Sequence, residues 1–310
     1  MADKKTMTLF NYIGGKTWLR NHLRENITNI LKDKKVNTYV EPFAGGLGAF
    51  LGVYDILLEK NIEKVILNDI NGKLINFYNI VNDKPTDLII GYMGLELKYA
   101  EIIPNQVNLL HKTKDKEALK VLLAQAEVFF KKVRTDFNTE KDELKNAIYL
   151  LFLQNHCFNG VYRENSKGFY NTPFNWEAKV FEKDKISAKV FAVNQVFKRF
   201  NTVFSNRSYS ELEYNKNSLY YLDPPYINEI ESQENQYHKD SFGLAQQKLL
   251  ILKIKDTNFL YSNHDNQLLI DEFNKNNINI TIKKIPRKNI ISASNESRKT
   301  DKIEILVSSK

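Results

Sequence analysis

The run Asp223-Pro224-Pro225-Tyr226 combines a carboxylate, two prolines and an aromatic ring directly after the apolar segment 219–222. Prolines fix φ and have no N–H, so this backbone offers a substrate only carbonyl acceptors. An exocyclic amine on an aromatic ring has two N–H donors, and the Asp223 carboxylate and the Pro224 carbonyl can each accept one. Tyr226 adds a flat face on which an extruded base can stack. The run therefore indicates chemistry on an amino group of a base, although Asp-Pro alone is also common in turns.

A glycine-rich turn, EPFAGGLG at 41–48, follows the strand-like segment 38–41. Glycines let a chain turn sharply from strand to helix and let a ligand approach the backbone. Asp69 follows the next strand-like segment, 65–67, where an acidic side chain suits ribose hydroxyls. These features indicate a nucleoside-containing cofactor, and a dinucleotide site would look similar. No Gly-Lys-Ser or Gly-Lys-Thr follows this strand at the required spacing, which excludes a Walker-type phosphate loop.

Near the N-terminus, the segment Tyr12-Ile13-Gly14-Gly15-Lys16 places two glycines before a lysine. A lysine ammonium in such a turn can pair with a carboxylate. Free S-adenosylmethionine (SAM) carries a carboxylate on its methionine end, so the pairing makes chemical sense. By itself, Gly-Gly-Lys is more often an ordinary turn.

The segment 155–174, NHCFNGVYRENSKGFYNTPF, mixes Asn, Arg, Lys and Ser with aromatic residues. An arginine can read guanine through O6 and N7, and lysine and serine can hold phosphates, although the composition alone favours a surface loop. His156 and Cys157 are adjacent, but Cys157 is the single cysteine of the chain and no suitably spaced His accompanies it, so we expect no metal site. The basic stretch 283–302 fits phosphate contact or a solvated hairpin equally well.

Strand and helix patterns alternate at both ends of the chain. The segments 38–41 and 65–67 flank a helical pattern, which predicts a β-α-β unit and a parallel, doubly wound sheet. Between the two ends, 74–149 carries helical patterns, including an amphipathic helix over 114–133. The other predicted elements are strands at 202–205, 219–222 and 258–262, helices at 143–155 and 186–200, and a closing antiparallel pair at 278–284 and 302–307.

Length and composition limit the classes of protein to which the chain can belong. The chain has 310 residues, 42% of them hydrophobic, which is enough for one large α/β domain and a smaller module. A net charge of +8 favours a polyanionic partner without identifying one. One cysteine, no signal-peptide pattern and no apolar run near the ~20 residues of a membrane span predict a cytoplasmic protein that does not engage a membrane.

In their order along the chain, the motifs closely resemble those of the Dam-like DNA adenine-N6 methyltransferases, the alpha group or D12 class. Eight blocks over nearly the whole chain carry the resemblance: YIGGK, EPFAGG, LNDIN, FNGVYRENSKGFYNTPF, DPPY, SFGLAQQ, YSNHD and SRKTDKIEIL. The resemblance implies an α/β fold, with a Rossmann-like SAM-dependent methyltransferase sheet and an inserted, mainly helical DNA-recognition domain. The catalytic domain would comprise 1–73 and 181–310, and the inserted domain 74–180.

The resemblance also implies roles for particular residues. SAM would be the cofactor, without a metal, and the substrate would be an adenine flipped out of double-stranded DNA. Arg163 would read a guanine next to the target adenine. The catalytic residues would be Asp223, Pro224, Pro225 and Tyr226. The residues that bind SAM would be Tyr12, Gly14, Lys16, Glu41, Phe43, Gly45, Asp69 and Asp223. The residues that bind DNA would be Asn159, Arg163, Asn165, Lys167, Asn171, Pro173 and Arg298.

Two positions depart from the family pattern. Tyr12 stands where the family usually has Trp, and 175–178 (NWEA) replaces a run similar to Gly-Arg-Tyr-Lys. The second departure bears on the recognition sequence, for which GATC or a related short site is the default expectation. We expect a monomer or weak dimer, and a cognate restriction endonuclease encoded nearby is a candidate partner.

Other functions remain open at this point. The same fold can methylate cytosine N4, an RNA adenine or a protein glutamine, although Ser-Pro-Pro or Asn-Pro-Pro would be more typical of those amines. A DNA-binding protein without catalysis would have no use for intact cofactor and catalytic motifs. A nicotinamide-dependent dehydrogenase would use the glycine-rich turn but gives no role to Asp223. A cytosine-C5 methyltransferase would need a nucleophilic Cys after Pro, which this sequence lacks.

Overall fold

The structure, a computed structural model, describes residues 8–12, 14–32, 34–103, 116–176, 183–226, 242–287 and 302–310. Seven strands within these ranges form one sheet, and all seven predicted strand positions are confirmed. The largest difference is in the strand predicted at 278–284, which lies two to three residues further toward the C-terminus. The strands are β1 Thr38–Glu41, β2 Lys64–Asn68, β3 Asn201–Ser205, β4 Ser218–Leu222, β5 Asn258–His264, β6 Ile280–Arg287 and β7 Lys302–Ser309.

The sheet has the strand order β3-β2-β1-β4-β5-β7-β6. The first five strands are parallel, and β7 pairs antiparallel with both β5 and β6. All five residues of β4 are buried, as expected of a central strand in a sheet covered on both faces. This arrangement confirms the predicted Rossmann-like sheet and its closing antiparallel pair.

The order of the strands reverses between β1 and β4. From β1 the chain continues to β2 on one side, whereas from β4 it continues to β5 on the other side. Loops that leave the carboxyl ends of two such strands diverge and leave a crevice between them, which is where open α/β sheets bind ligands. The turn 41–48 leaves β1 and the segment Asp223–Tyr226 leaves β4, so the fold places both at this position.

Ten α-helices lie within the described ranges, and several begin at residues that cap them. Asn71 accepts hydrogen bonds from Lys73 N and Leu74 N, Asp142 accepts one from Lys145 N, and Pro85 opens α4. The helices are α1 Arg20–Ile30, α2 Gly48–Glu59, α3 Gly72–Asp83, α4 Pro85–Ile102, α5 Lys116–Leu122, α6 Ala124–Thr139, α7 Glu143–His156, α8 Lys183–Phe197, α9 Leu244–Ile254 and α10 Gln267–Lys275.

The chain divides into two compact units. One comprises 1–18, 45–52 and 71–199 and is mainly helical, and the other comprises 19–44, 53–70 and 200–310 and holds the whole sheet. The apolar core of the sheet unit is built from strand residues such as Tyr220 and Phe259 and from helix residues such as Ile251 and Phe273. The assignment of 1–73 and 181–310 to catalysis and of 74–180 to DNA recognition stays a prediction.

In the helical unit, α7 packs against α3, α4 and α6. The predicted amphipathic helix over 114–133 is wrong in one respect, because it is broken at Leu123, where ψ is 4° and the helix restarts as α6. The predicted apolar face is nevertheless buried at Leu119, Leu123, Phe130 and Val133. Hydrophobic spacing specified the buried face but not the position at which the helix axis breaks.

None of the helices in the described part of the chain is both long and apolar enough to span a bilayer.

The cap at the start of α7 gives a first prediction. The Asp142 carboxylate accepts a hydrogen bond from Lys145 N at 2.8 Å, and Asp142→Ala should lower the free energy of unfolding by about 1 kcal/mol because it exposes an unpaired N–H. Urea denaturation monitored by circular dichroism measures the change. Asp142→Ser, which restores a capping oxygen, should recover most of the loss. Equal stability of the Ala and Ser variants would contradict the role of the cap.

Candidate active site

The carboxylate of Asp223 is held from the neighbouring strand. Leu222, the last residue of β4, pairs with Tyr261 of β5, so Ser262 lies beside Asp223. The buried Ser262 hydroxyl donates a hydrogen bond to Asp223 Oδ1 at 2.9 Å. A hydroxyl in this position stabilises the charged carboxylate and fixes its orientation at the carboxyl end of the sheet. Ser262 was not predicted from the sequence, since its proximity to Asp223 depends on strand register.

The two proline carbonyls differ in their surroundings. Gln247 Nε2 donates to the Pro225 carbonyl at 2.9 Å, and Gln247 in turn accepts a hydrogen bond from the Tyr261 hydroxyl. Among the described residues, no hydrogen-bond donor contacts the Pro224 carbonyl. The protein therefore fixes the loop through the Pro225 carbonyl. The Pro224 carbonyl, next to Asp223, is left to accept from another donor.

Tyr226 is fixed by the closing strand of the sheet. Its hydroxyl donates to Glu304 Oε2 at 3.1 Å, and its ring meets the His264 ring edge-on at a centroid distance of 4.4 Å. Glu304 and His264 are paired residues of β7 and β5. Burial, with the nearby charges of Asp223 and Glu304, raises the pKa of the Tyr226 phenol well above its ordinary value, so the hydroxyl stays a donor at neutral pH.

Glu304 itself is fully buried and was not predicted as a site residue. Its sequence context carries a usable signal, because it is the one charged residue in the otherwise apolar run 303–307, IEILV. A buried carboxylate is costly unless donors satisfy it, so such a residue in a strand points to a specific hydrogen-bond partner. Here one of its donors is Tyr226.

Two further acidic side chains lie at the carboxyl ends of β1 and β2. Glu41 is buried and accepts a hydrogen bond from the Tyr39 hydroxyl at 2.6 Å. Asp69 follows β2, and its backbone is tied to the end of β3 through Ser205 O and the Asn206 side chain. β1 and β2 are adjacent and parallel, so both carboxylates occupy the same edge of the sheet. Both were predicted to bind the cofactor.

Asn68, which was not predicted, shapes the loops at this edge. It is fully buried, and its Nδ2 donates to the Pro42 carbonyl at 2.9 Å and to the Arg207 carbonyl at 3.0 Å. Its Oδ1 accepts from Arg207 N, and its own carbonyl accepts from Ala44 N. One side chain thus fixes the turn after β1 to the loop after β3.

Phe43 belongs to an aromatic cluster at the same edge. Its ring lies 5.6 Å from that of Tyr209 and 5.3 Å, edge-on, from that of Phe242. Aromatic and apolar walls of this kind bind flat ring systems such as a purine. Phe43 was a predicted site residue, whereas Tyr209 and Phe242 were not, because they come from distant parts of the sequence.

In the helical unit, the tyrosine of the N-terminal motif packs against the glycine-rich turn. Gly45 has a φ of +47°, and a Cβ on Gly46 would lie only 2.6 Å from the Cβ of Tyr12. The Tyr12 ring also stacks on that of Tyr162, at 6.1 Å between ring centroids. The glycine at position 46 therefore has a steric reason, since only glycine admits Tyr12 this closely.

Lys16 of the same motif is almost completely buried, with 3% of its surface exposed. Its ammonium donates to the Gly14 carbonyl at 2.7 Å, and Gly14 has a φ of +83°. A lysine is seldom buried without an anionic or carbonyl partner. The structure thus brings together Tyr12, Gly14, Lys16 and Gly45, four of the residues predicted to bind the cofactor.

Six of the seven predicted DNA-binding residues lie in a hairpin of the helical unit or at its base. Cys157 pairs with Phe174 and Glu164 with Tyr170, and Asn165 caps the tip by accepting from Lys167 N and Phe169 N. The Pro173 and Asn159 carbonyls accept hydrogen bonds from Phe158 N and Asn11 Nδ2, so these two residues help to fix the base of the hairpin.

Arg163 is an exposed residue of this hairpin and lies next to Asn171. Arg298 lies outside the described residues. Of the basic stretch 283–302, Lys283 and Lys284 form ion pairs with Glu25 and Asp265.

Neither a reactive thiol nor a metal cluster is found in the described part of the chain. Cys157 is buried, and burial raises the pKa of its thiol to about 11. A thiol of this kind is a poor nucleophile at neutral pH. No group of three or more His, Cys, Asp or Glu side chains in the described ranges is arranged to hold a metal ion.

The class of protein follows from these features together with family comparison. The chain belongs to the D12 class of N6 adenine-specific DNA methyltransferases, whose family model matches residues 12–289. It is therefore an enzyme that methylates adenine in DNA, as the resemblance implied, and enzymes of this family depend on SAM. This membership excludes the dehydrogenase, and it favours an active enzyme on DNA adenine over a non-catalytic DNA-binding protein and over methylation of cytosine N4, an RNA adenine or a protein glutamine.

The chain is also similar to individual relatives over most of their length. The chain is 29% identical over 308 residues to the type II methyltransferase M.MjaIII of Methanocaldococcus jannaschii, with 96% of each chain covered. It is 28% identical to the DNA adenine methylase of Haemophilus influenzae, covering 87% of this chain and 84% of that protein. It is 26% identical to the DNA adenine methylase of Escherichia coli, covering 97% and 95%.

The close approach of Tyr12 to the glycine-rich turn gives a second prediction. Gly46→Ala should destabilise the protein by about 1–3 kcal/mol, because the added Cβ forces Tyr12 to move. Gly94→Ala is the matched control, since its Cβ would meet nothing within 4 Å and it lies inside α4. The control should be neutral or stabilising in urea denaturation. The steric argument is wrong if the two variants unfold at the same urea concentration.

The buried thiol gives a third prediction. With a pKa near 11, Cys157 in the folded protein should react with iodoacetamide at pH 8 about a hundredfold more slowly than in the urea-unfolded chain. The rate should rise as the pH approaches 11, because the thiolate is the reactive form. Mass spectrometry of the time course measures both rates. Rapid labelling of the folded protein at pH 8 would contradict the buried position.

Proposed function

We propose that the chain transfers a methyl group from SAM to N6 of an adenine turned out of double-stranded DNA, and that Asp223 and Pro224 hold the amine. The proposal rests on the hydrogen bonds that the protein does and does not make to the Asp223 carboxylate and the Pro224 carbonyl. Ser262 orients the Asp223 carboxylate at 2.9 Å, whereas no described donor contacts the Pro224 carbonyl next to it. A pair of adjacent acceptors matches the two N–H groups of an exocyclic amine.

The Asp223 and Pro224 acceptors would activate the amine as well as bind it. The lone pair of adenine N6 is delocalised into the ring, so the amine is a weak nucleophile. Hydrogen bonds from both N–H groups to Asp223 and Pro224 favour a more pyramidal nitrogen, whose lone pair is localised. The Asp223 carboxylate also stabilises the positive charge that develops on N6 and lies beside the proton that must leave.

Tyr226 is proposed to stack on the flipped adenine. Its hydroxyl is held by Glu304 and its ring packs against the His264 ring, so the ring is restrained before substrate arrives. Extruding a base costs a few kcal/mol in lost stacking and pairing, and stacking on an aromatic ring recovers about 1–3 kcal/mol. A ring that is already fixed avoids the additional entropy cost of ordering it.

The residues at the sheet edge fit the chemistry of SAM. The carboxylates of Glu41 and Asp69 can accept hydrogen bonds from hydroxyl and amino groups, and the cluster around Phe43 suits the adenine ring of the cofactor. SAM, when bound, supplies an activated methyl group. We propose cofactor roles for Tyr12, Gly14, Lys16 and Gly45 on the resemblance of their motifs.

For DNA, the proposal rests on the hairpin of the helical unit and on charge. Arg163 and Lys167 are exposed, and the chain has a net charge of +8, which suits a phosphate backbone. Asn159, Asn165, Asn171, Pro173 and Arg298 are assigned to DNA binding by resemblance. We propose 74–180 as the DNA-recognition domain and 1–73 with 181–310 as the catalytic domain.

The wider context is proposed from the relatives. The relatives include a type II methyltransferase and DNA adenine methylases, which favour either a partner restriction endonuclease or a solitary methylase acting at GATC or a related short site. We propose that the enzyme acts as a monomer or weak dimer.

The proposed function gives the fourth prediction. Incubation with tritiated SAM and unmethylated DNA should yield label only as N6-methyladenine. Asp223→Asn should lower kcat by at least about a hundredfold, because it removes the charge beside N6, while DNA affinity changes little. Asp256→Asn is the matched control, because Asp256 is an exposed carboxylate just before β5 and should keep full activity.

Label in any other product, or an Asp223→Asn variant with the activity of the control, would overturn the proposal. Calorimetry with SAM and fluorescence anisotropy with labelled duplex show whether a loss of turnover lies in binding or in the methyl transfer itself.

A further inference from the structure

The Arg163 side chain is held by its neighbour across the hairpin. Arg163 Nε donates to Asn171 Oδ1 at 2.8 Å, and Arg163 Nη2 donates to the Asn171 carbonyl at 3.1 Å. The backbones are also joined, since Asn171 N donates to the Arg163 carbonyl at 3.0 Å. One residue therefore provides two acceptors for the guanidinium and fixes the chain from which it extends.

These two contacts use one particular edge of the guanidinium. The group is planar, and it presents two parallel N–H bonds along its Nε–Nη2 edge and two more along its Nη1–Nη2 edge. Asn171 accepts along the first edge. No described residue accepts a hydrogen bond from the second edge, and Arg163 is exposed, so the Nη1–Nη2 pair is open to solvent.

The surrounding contacts hold the hairpin strand in place without competing for Arg163. Glu164, the adjacent acid, accepts from the Tyr162 hydroxyl at 2.6 Å and lies 3.6 Å from Lys73 Nζ. Lys73 also donates to the Gly168 carbonyl near the tip of the hairpin. Tyr162 is buried while Arg163 is exposed, as alternation along an extended strand requires.

We propose that Asn171 is a positioning residue that determines specificity, by committing Arg163 to read a guanine through its Nη1–Nη2 edge. This inference rests on the proposed role of Arg163 in DNA reading. The outward pair of N–H groups matches the O6 and N7 acceptors of guanine in the major groove. Asn171 thus acts on the base through Arg163, in place of the direct contact with DNA that the resemblance implied.

The test removes one of the two guanine acceptors. The methylated site is first located by modified-base sequencing of DNA treated with the enzyme, and each guanine of a duplex with that site is then replaced by 7-deazaguanine. For the wild type, one position should lower kcat/KM by about tenfold, because it lacks N7. Arg163→Ala should remove this sensitivity.

Variants of Asn171 distinguish a role in orienting Arg163 from a role in stabilising the hairpin alone. In Asn171→Ala, Nε loses its acceptor, and the 7-deazaguanine effect should fall below about threefold because the guanidinium can turn. Asn171→Asp keeps an acceptor for Nε and should retain the tenfold effect, although its charge weakens binding of every duplex. Thr172→Val is the structural control, since it removes the hydrogen bond to the Val161 carbonyl in the same hairpin and should keep the tenfold effect.

The inference is overturned if Asn171→Ala keeps the full tenfold effect, or if Thr172→Val loses it to the same extent. If no guanine is sensitive, or if Arg163→Ala remains as sensitive as the wild type, the proposed guanine reading by Arg163 fails with it. Methylation of unmodified duplex by the wild type tests the proposed function separately, because it does not depend on which edge of Arg163 is used.

Discussion

The chemistry of the sheet unit depends on one geometric constraint, which is that parallel strands bring their carboxyl ends to the same edge. Glu41 is the last residue of one such strand, and Asp69 and Asp223 each follow another. The order of strands reverses between β1, which ends at Glu41, and β4, which precedes Asp223. Three acidic side chains that are far apart in sequence therefore share one edge of the sheet. Without the reversal between β1 and β4, the loops that follow would pack against each other and leave no crevice.

Buried polar groups then decide how the loops at this edge are oriented. Ser262, Glu304, Asn68 and Glu41 are all nearly inaccessible to solvent, and each is joined by hydrogen bonds to a loop or to a neighbouring side chain. Burying such groups is costly unless their hydrogen bonds are made, so each one strongly favours a single loop conformation. The same cost explains why these groups lie in strands, where the backbone is fixed and partners can be placed accurately.

The sequence alone could predict the strands, since buried parallel strands are short apolar runs, and it could predict Asp223 and Asp69, since each follows such a run. It could not predict the partners of Ser262 and Glu304, because their proximity to Asp223 and Tyr226 requires the strand order and the register of β5 against β4 and β7. The break at Leu123 was missed for a similar reason, as hydrophobic spacing specifies a buried face but not the path of the helix axis. Asn171 was predicted to be a DNA-binding residue, whereas its contact with Arg163 depends on the register of the hairpin.

The catalytic loop and the hairpin share a physical device. In each, the protein uses part of a group's hydrogen-bonding capacity and thereby selects what remains for the substrate. Gln247 occupies the Pro225 carbonyl, so the loop is fixed while the Pro224 carbonyl can accept from an amine. Asn171 occupies one edge of the Arg163 guanidinium, so the other edge is oriented outward. A group restrained in this way loses little further entropy on binding. It also discriminates against any partner that would need the hydrogen-bonding groups already in use, because that partner must first break a hydrogen bond within the protein.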